Sequence, residues 1–210
     1  MPLMIKAAKK SPWATSKDRA AEREAKREAV LHAAAQAFSE RGYYRTSLDD
    51  VAGRLGITKP TLYYYAKSKE DLIAAVAARG LEQMLADLPT DPRASSYHRL
   101  SAFLHNYAEI AATDFGRCLM VLTDSDLSEA AGAHIRQGKA SIDRKIRGLI
   151  TSGIADGSIA DCDAKLTAFM IAGAINGISR WYRDGVGLDS ASVARIYVNQ
   201  LGAGLLPRRD

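Results

Sequence analysis

Ser47-Leu48-Asp49-Asp50-Val51-Ala52-Gly53-Arg54-Leu55-Gly56-Ile57-Thr58-Lys59-Pro60-Thr61-Leu62-Tyr63-Tyr64-Tyr65 is the stretch that decides the fold. Ser47 stands three residues ahead of Asp50, the S-x-x-D arrangement in which a hydroxyl and a carboxylate satisfy the free amides of a helix start. Leu48, Val51, Ala52 and Leu55 share one face of the helix that follows, and Gly56 ends it. Thr58 caps a second short helix, with Lys59 and Pro60 in its first turn, where a missing N–H has no intrahelical partner to lose. Two short helices joined by Gly56-Ile57-Thr58 read as a helix-turn-helix, whose first helix braces the second against the major groove of DNA.

The composition of that second helix carries the functional reading. Only Leu62 is an unambiguous core residue, and Tyr63, Tyr64 and Tyr65, set 100° apart, point in three directions. A core cannot hide all three cheaply, because each buried phenol needs a hydrogen-bond partner. Left outside, tyrosines donate to phosphate oxygens or pack on thymine methyls, while Lys59 and Thr61 reach base edges or backbone. Ser47, beside the free amides of its helix, suits a phosphate across the groove, and Lys67 and Lys69 extend that grip. The competing role, in which the tyrosines hold the small domain together, weighs most at Tyr65.

Outward from this motif the periodicity is helical, and no run of alternating β-branched residues marks a strand, so the chain reads as all-α. A helix from about Asp18 to Arg41 carries Val30, Leu31, Ala34, Ala37 and Phe38 on its apolar face and Arg19, Arg23, Lys26 and Arg27 on its polar one, with Gly42 to end it. Ser68 and Asp71 repeat the S-x-x-D start and open a longer helix bearing Leu72, Ile73, Val76, Leu81, Met84, Leu85 and Leu88, stopped by Pro89 and Pro92. Further helices are expected at about 94–113, 116–123, 126–155, 163–184 and 190–205. The division is a basic N-terminal arm over residues 1–17, a helix-turn-helix domain over 18–67, and a helical ligand-binding and dimerisation domain over 68–210.

Charge supports that division. The 210 residues carry a net charge of +5. The excess sits in residues 1–70, while the remainder is close to neutral, so a polyanion partner belongs to the N-terminal part. A basic tail that is merely solvated explains the charge equally well. Cys118 and Cys162 have no CxxC or His-Cys spacing, so neither a disulfide framework nor a metal site is expected, and no cofactor motif is present. The longest apolar run, Leu166 to Ile178, is too short to span a bilayer and includes Asn176. Residues 1–10 lack the continuous apolar core of a signal peptide, and the expected location is the cytoplasm.

The segments Thr46 to Ala52, Leu55 to Tyr65 and Lys67 to Leu72, with Phe38 and Gly42-Tyr43 ahead of them, resemble the DNA-binding domain of TetR-family transcriptional regulators. One departure is Ala66, where the family has an aromatic or large apolar residue. The resemblance implies that Ser47, Lys59, Pro60, Thr61, Tyr63, Tyr64 and Lys69 contact DNA. It also implies a homodimer on a near-palindromic operator, repressing until a small molecule releases it. The arm before Asp18 is an addition to the family pattern and is expected to track the adjacent backbone or minor groove.

In the C-terminal part, the all-round apolar Leu166–Ile178 helix must be covered on more than one side, and one cover is a partner subunit. Ala172 and Gly173 on that helix, with Ala194, Tyr197, Val198, Leu201 and Leu205 on the last one, are the expected dimer residues, an ordinary monomeric core being the alternative. Phe103, Tyr107, Cys118, Leu122, Ile146, Phe169, Met170 and Asn176 are the expected lining of a small-molecule pocket, although such stripes serve more often as plain core. Asn176 is the sharper clue, since a buried amide must be satisfied across the dimer or by a ligand. His105 and His134 have no metal-ligand partner at i+4 and belong to the surface or a pocket edge. A loose similarity of Asn176 to Arg183 to regulators that answer acyl-CoA or other lipid-derived molecules suggests the effector. Alternatives are a thiol redox-sensing regulator acting through a cysteine and a ligand-free architectural DNA binder. An enzyme is not indicated, since no nucleophile-base pair, phosphate loop or dinucleotide fingerprint is found.

Overall fold

The computed structural model describes residues 19–87, 91, 93–122 and 126–207. The arm expected over 1–17 and the stop signal at Leu88, Pro89 and Pro92 lie outside them. All regular structure among the described residues is helical: α1 Arg19–Arg41, α2 Leu48–Leu55, α3 Lys59–Tyr63, α4 Lys69–Leu85, α5 Ser96–Ala112, α6 Asp114–Val121, α7 Glu129–Ala155, α8 Ala164–Trp181 and α9 Ser190–Ala203.

Short polar side chains place almost every start. Ser47 and Asp50 form a complete capping box on α2. Thr58, Ser68, Ser95, Thr113, Ser128, Asp163 and Asp189 each accept a first-turn amide of the next helix. These caps explain the differences from the expected boundaries. Ser95 and Ser128 delay α5 and α7, and Thr113 starts α6 at Asp114, two residues before the expected start at 116. Gly42 and Gly56, at φ +84° and +65°, supply the left-handed turns that end α1 and α2, a conformation costly for any residue with a Cβ.

One apolar core runs through the described chain. Leu62, fully buried, anchors α3 in the core beside α2, and Thr46 locks the α1–α2 turn by pointing its hydroxyl at the carbonyls of Ala37 and Gly42. Ala66, the departure from the family pattern, is itself buried, so a methyl closes the packing between α3 and α4. Helix α4 then leaves the small domain and packs on α6 and α7, while α5 lies against α7, α8 and α9. Asp156, at the end of α7, accepts the amides of Ser96 and Ser158, tying that end to the start of α5. The Ser158 and Ser96 side chains, ahead of those amides, hold its carboxyl far below the usual range.

The expected dimer stripe needs correction. Ala194, Val198 and Leu205 are buried in the subunit's own core, because the inward face of α9 is used against α5, where Gly202 leaves room for the Tyr97 ring. The apolar surface left open here includes Leu166, Phe169, Met170 and Trp181 on α8 with Ile196 and Leu206 in the last segment. Gly173 lies on that open side, Trp181 stacks on half-buried Tyr197, and Ala172 and Leu201 are half-buried.

Candidate nucleic-acid interface and effector cavity

Folding gathers the expected DNA-facing residues on one side of the small domain. Tyr63 is 45% and Tyr64 66% exposed, whereas Tyr65 is half-buried and packs edge-on against Tyr64. Ser47, Lys59 and Pro60 are exposed, and half-buried Thr61 shares a hydroxyl bond with Thr58 at 2.9 Å. Ser47, Lys59, Tyr63 and Lys69 line one open groove of about 380 Å³ with Tyr44 and Arg45. Tyr64 opens instead on a second groove, of about 700 Å³, beside Arg23 and Arg27 of α1. The Arg23 guanidinium lies 5.5 Å from the Tyr64 ring centre, a cation–π approach. Helix α3 is therefore a ridge between two basic grooves, the shape expected of an element entering DNA between two phosphate strands.

Several charges on this face are already engaged within the domain. Lys59 Nζ donates to Asp49 at 2.7 Å, which raises the pKa of the lysine. Hydrogen bonds from the Ser47 hydroxyl and amide, ahead of the nearby Arg41, hold the Asp50 carboxyl below its ordinary value. Lys69 lies 4.4 Å over the Tyr43 ring and reaches the Tyr44 carbonyl, so it braces the turn as well as lining the groove. Tyr44, Arg45, Arg23 and Arg27 were not expected here. The basic face of α1 is legible in the sequence, but its placement beside α3 depends on tertiary packing.

The expected pocket residues divide. Tyr107, Leu122, Phe169 and Asn176 line a cavity of about 740 Å³ between α5, α6, α7 and α8, with Met120 and Ile142. Cys118 faces a different cavity of about 430 Å³, between α1 of the small domain and α4, α6 and α8 of the large one. Val121, Leu122, Ser179 and Arg180 border both spaces. Two placements are corrected: fully buried Ile146 and exposed Met170 line neither cavity. Ala172, Asn176 and Ser179 define the cavity face of α8 with half-exposed Phe169 at its rim, and Met170, 100° on from Phe169, faces away from the cavity. Phe103, covered by Lys145, lines only a recess of about 130 Å³.

Helix α6 joins the cavity to the small domain. Arg117 donates to Ser39 Oγ at 2.7 Å, to Asp114 at 2.6 Å and to the Tyr182 carbonyl at 3.1 Å, connecting α1, α6 and the end of α8. Phe115 packs edge-on against His32 of α1 at 4.9 Å between ring centres. Tyr44 bonds Asp126, and Glu70 accepts the Ser128 amide. Burial pushes the Cys118 thiol up to about 12. Among the described residues no group of three or more His, Cys, Asp or Glu is placed to hold a metal, and no helix is long and apolar enough to cross a membrane.

Two family models match the chain. Residues 30–76 match that of bacterial regulatory proteins of the tetR family, and residues 93–205 match a tetracyclin repressor-like C-terminal domain. The HTH-type transcriptional regulator RutR of Escherichia coli (strain K12) is 32% identical over 162 residues, 70% of each chain. Two solved structures share the fold. AibR in complex with isovaleryl coenzyme A and operator DNA superimposes with a TM-score of 0.69 at 23% identity, covering 83% of this chain and 96% of that one. The transcriptional regulator FadR from Bacillus subtilis in complex with stearoyl-CoA gives 0.64 at 20% identity, covering 84% and 98%.

Proposed function

This chain belongs to the tetR family of bacterial regulatory proteins, and from that premise we propose that it is a dimeric repressor, released from a palindromic operator when a small lipid-derived molecule fills its C-terminal cavity. It acts in the cytoplasm and catalyses nothing. Residues 18–67 form the reading head and 68–210 the sensing and pairing domain. Ser47, Lys59, Pro60, Thr61, Tyr63, Tyr64 and Lys69 face DNA, joined by Arg23, Arg27 and Arg45 on the backbone. The outward face of Leu166, Met170 and Trp181, with Ile196, covers a second copy.

The exposed ridge of α3 between two basic grooves carries this reading, because its two outward tyrosines are free to donate to phosphate oxygens and to pack on thymine methyls. The acyl-CoA complexes of AibR and FadR support the effector class, and the apolar cavity of about 740 Å³ has room for such a chain. A ligand there pushes on Val121 and Leu122, hence on α6, whose Arg117 grips α1 through Ser39. The thiol-switch alternative is disfavoured at Cys118, since a thiol pushed up to about 12 by burial holds almost no thiolate near neutrality.

The test selects a binding site from random duplexes and measures affinity by fluorescence anisotropy. Tyr63→Ala with Tyr64→Ala weakens specific binding by about 10-fold or more while non-specific affinity changes little. Unchanged specific affinity in a folded double variant would remove the basis for this reading.

A further inference from the structure

This inference rests on the effector role of the large cavity and supplies its chemistry. Into that cavity α8 turns Asn176, Ser179 and Arg180, which spacings of three and four residues place on one face within a turn. Around them the walls are largely apolar, with Leu122, Ile142 and Phe169, and α7 adds the charged side chains of Lys139 and Asp143.

The three polar side chains differ in what they have left to offer. The hydroxyl of buried Tyr107 lies 2.5 Å from Asn176 Oδ1. Burial pushes the Tyr107 phenol up to about 12, so it keeps its proton and donates it, and Asn176 Oδ1 is the acceptor. The Asn176 amide nitrogen then carries two hydrogens. They meet no acceptor among the described residues, and the nitrogen is not sealed inside protein. Ser179 donates to the Asn176 carbonyl at 2.7 Å and keeps its lone pairs. Arg180 stands where the two cavities meet, and no carboxylate pairs with it among the described residues. Its neighbours are already engaged: Arg117 by Asp114, and Asp143, the carboxylate of the cavity wall, by Arg147 at 2.5 Å. The space thus combines apolar volume, a spare amide donor and, one turn further on, a guanidinium that no carboxylate pairs among the described residues.

We propose that Asn176 and Arg180 select an anionic acyl amphiphile, whose acyl oxygen accepts from the Asn176 amide, whose chain lies against Phe169 and Ile142, and whose negative charge rests on Arg180 at the entrance to the interdomain cavity. Tyr107 is the positioning residue that fixes which end of the Asn176 amide faces the ligand. A free carboxylate and an acyl thioester of a phosphorylated carrier share this chemistry.

Calorimetric titration of the full-length protein with octanoate, octanoyl-CoA and 1-octanol separates the possibilities. The wild type is expected to bind at least one anionic probe about 10-fold or more tightly than the alcohol, and the tighter of the two identifies the source of the charge. Arg180→Met and Asn176→Leu each weaken that probe by about 10-fold or more, leave the alcohol unchanged, and bind operator like the wild type when ligand-free. If the anionic probes bind both variants as they bind the wild type, or the alcohol binds as tightly as they do, this selection is overturned while the cavity remains an effector site. If no probe binds a wild type that still holds its operator, the lipid-derived effector falls, and this inference with it.

Discussion

Replacing Gly116 with Ala should cost the protein more than almost any other single methyl. A Cβ at that position would lie 2.1 Å from the Ile110 carbonyl oxygen and 2.7 Å from the Ala111 Cα, where real Cβ contacts essentially never fall below 3.0 Å. The obstacle is backbone, so no side chain can swing away. The first turn of α6 must instead retreat from the end of α5 by about 1 Å, disturbing a helix wedged against α1 and α4. Overpacking of this kind costs about 1–3 kcal/mol, and the gain in helix propensity returns about 1 kcal/mol, so the upper part of the range leaves a net loss of roughly 2 kcal/mol. For a chain of this length that lowers Tm by roughly 4–8 °C. Gly148→Ala is the matched control: it sits inside α7, its Cβ would meet nothing within 4 Å, and propensity alone should raise stability by about 0.5–1 kcal/mol. Differential scanning fluorimetry of the two variants beside the wild type decides the matter. A Gly116→Ala protein that melts with or above the wild type would refute the close approach of α5 and α6.

Alkaline pH should destabilise the fold through groups that stay protonated inside. Cys118 and Tyr107 are both pushed up to about 12, so the native state holds protons that the unfolded chain releases from about pH 9 for the thiol. Their stabilisation is complete below that pH and is lost as pH climbs toward 12, at about 1.4 kcal/mol per pH unit for each group. Urea melts at pH 8 and 10.5 should show that slope, and Cys118→Ala should make it shallower. Thr46→Val, which removes the hydroxyl bound to the Ala37 and Gly42 carbonyls, should cost about 1–3 kcal/mol by the same melts. Lys59→Ala should reduce the salt slope of operator binding by about 0.9 for each copy bound, measured by anisotropy across a salt series, and an unchanged slope would take Lys59 off the phosphates.

Local chemistry made much of this architecture readable. Serine and threonine caps announce α2, α3 and α4 from sequence alone, and the three tyrosines around Leu62 could not all be interior. What remained hidden depends on which helical faces meet. Ala194, Val198 and Leu205 form a stripe as apolar as any interface, and only the packing of α9 on α5 shows that the same chain covers it. Phe103, Tyr107 and Cys118 are all large or soft and buried, yet they face three separate spaces. Met170 and Phe169 are neighbours in an all-round apolar helix, where composition cannot say which side is inward. Asn176 could be singled out because a polar group among apolar ones demands a partner, but that the partner is Tyr107, 69 positions away, is a matter of tertiary structure.

The bond between Asp49 and Lys59 bears on how such a protein scans a genome. A lysine already clasped by a carboxylate brings little net attraction to an arbitrary stretch of duplex, and a phosphate that captures it leaves Asp49 exposed to a polyanion. Only a sequence that rewards the neighbouring tyrosines with well-fitted contacts offsets that exchange. In the proposed reading head the pair would act as a catch, lowering residence on random DNA and so widening the ratio between operator and background.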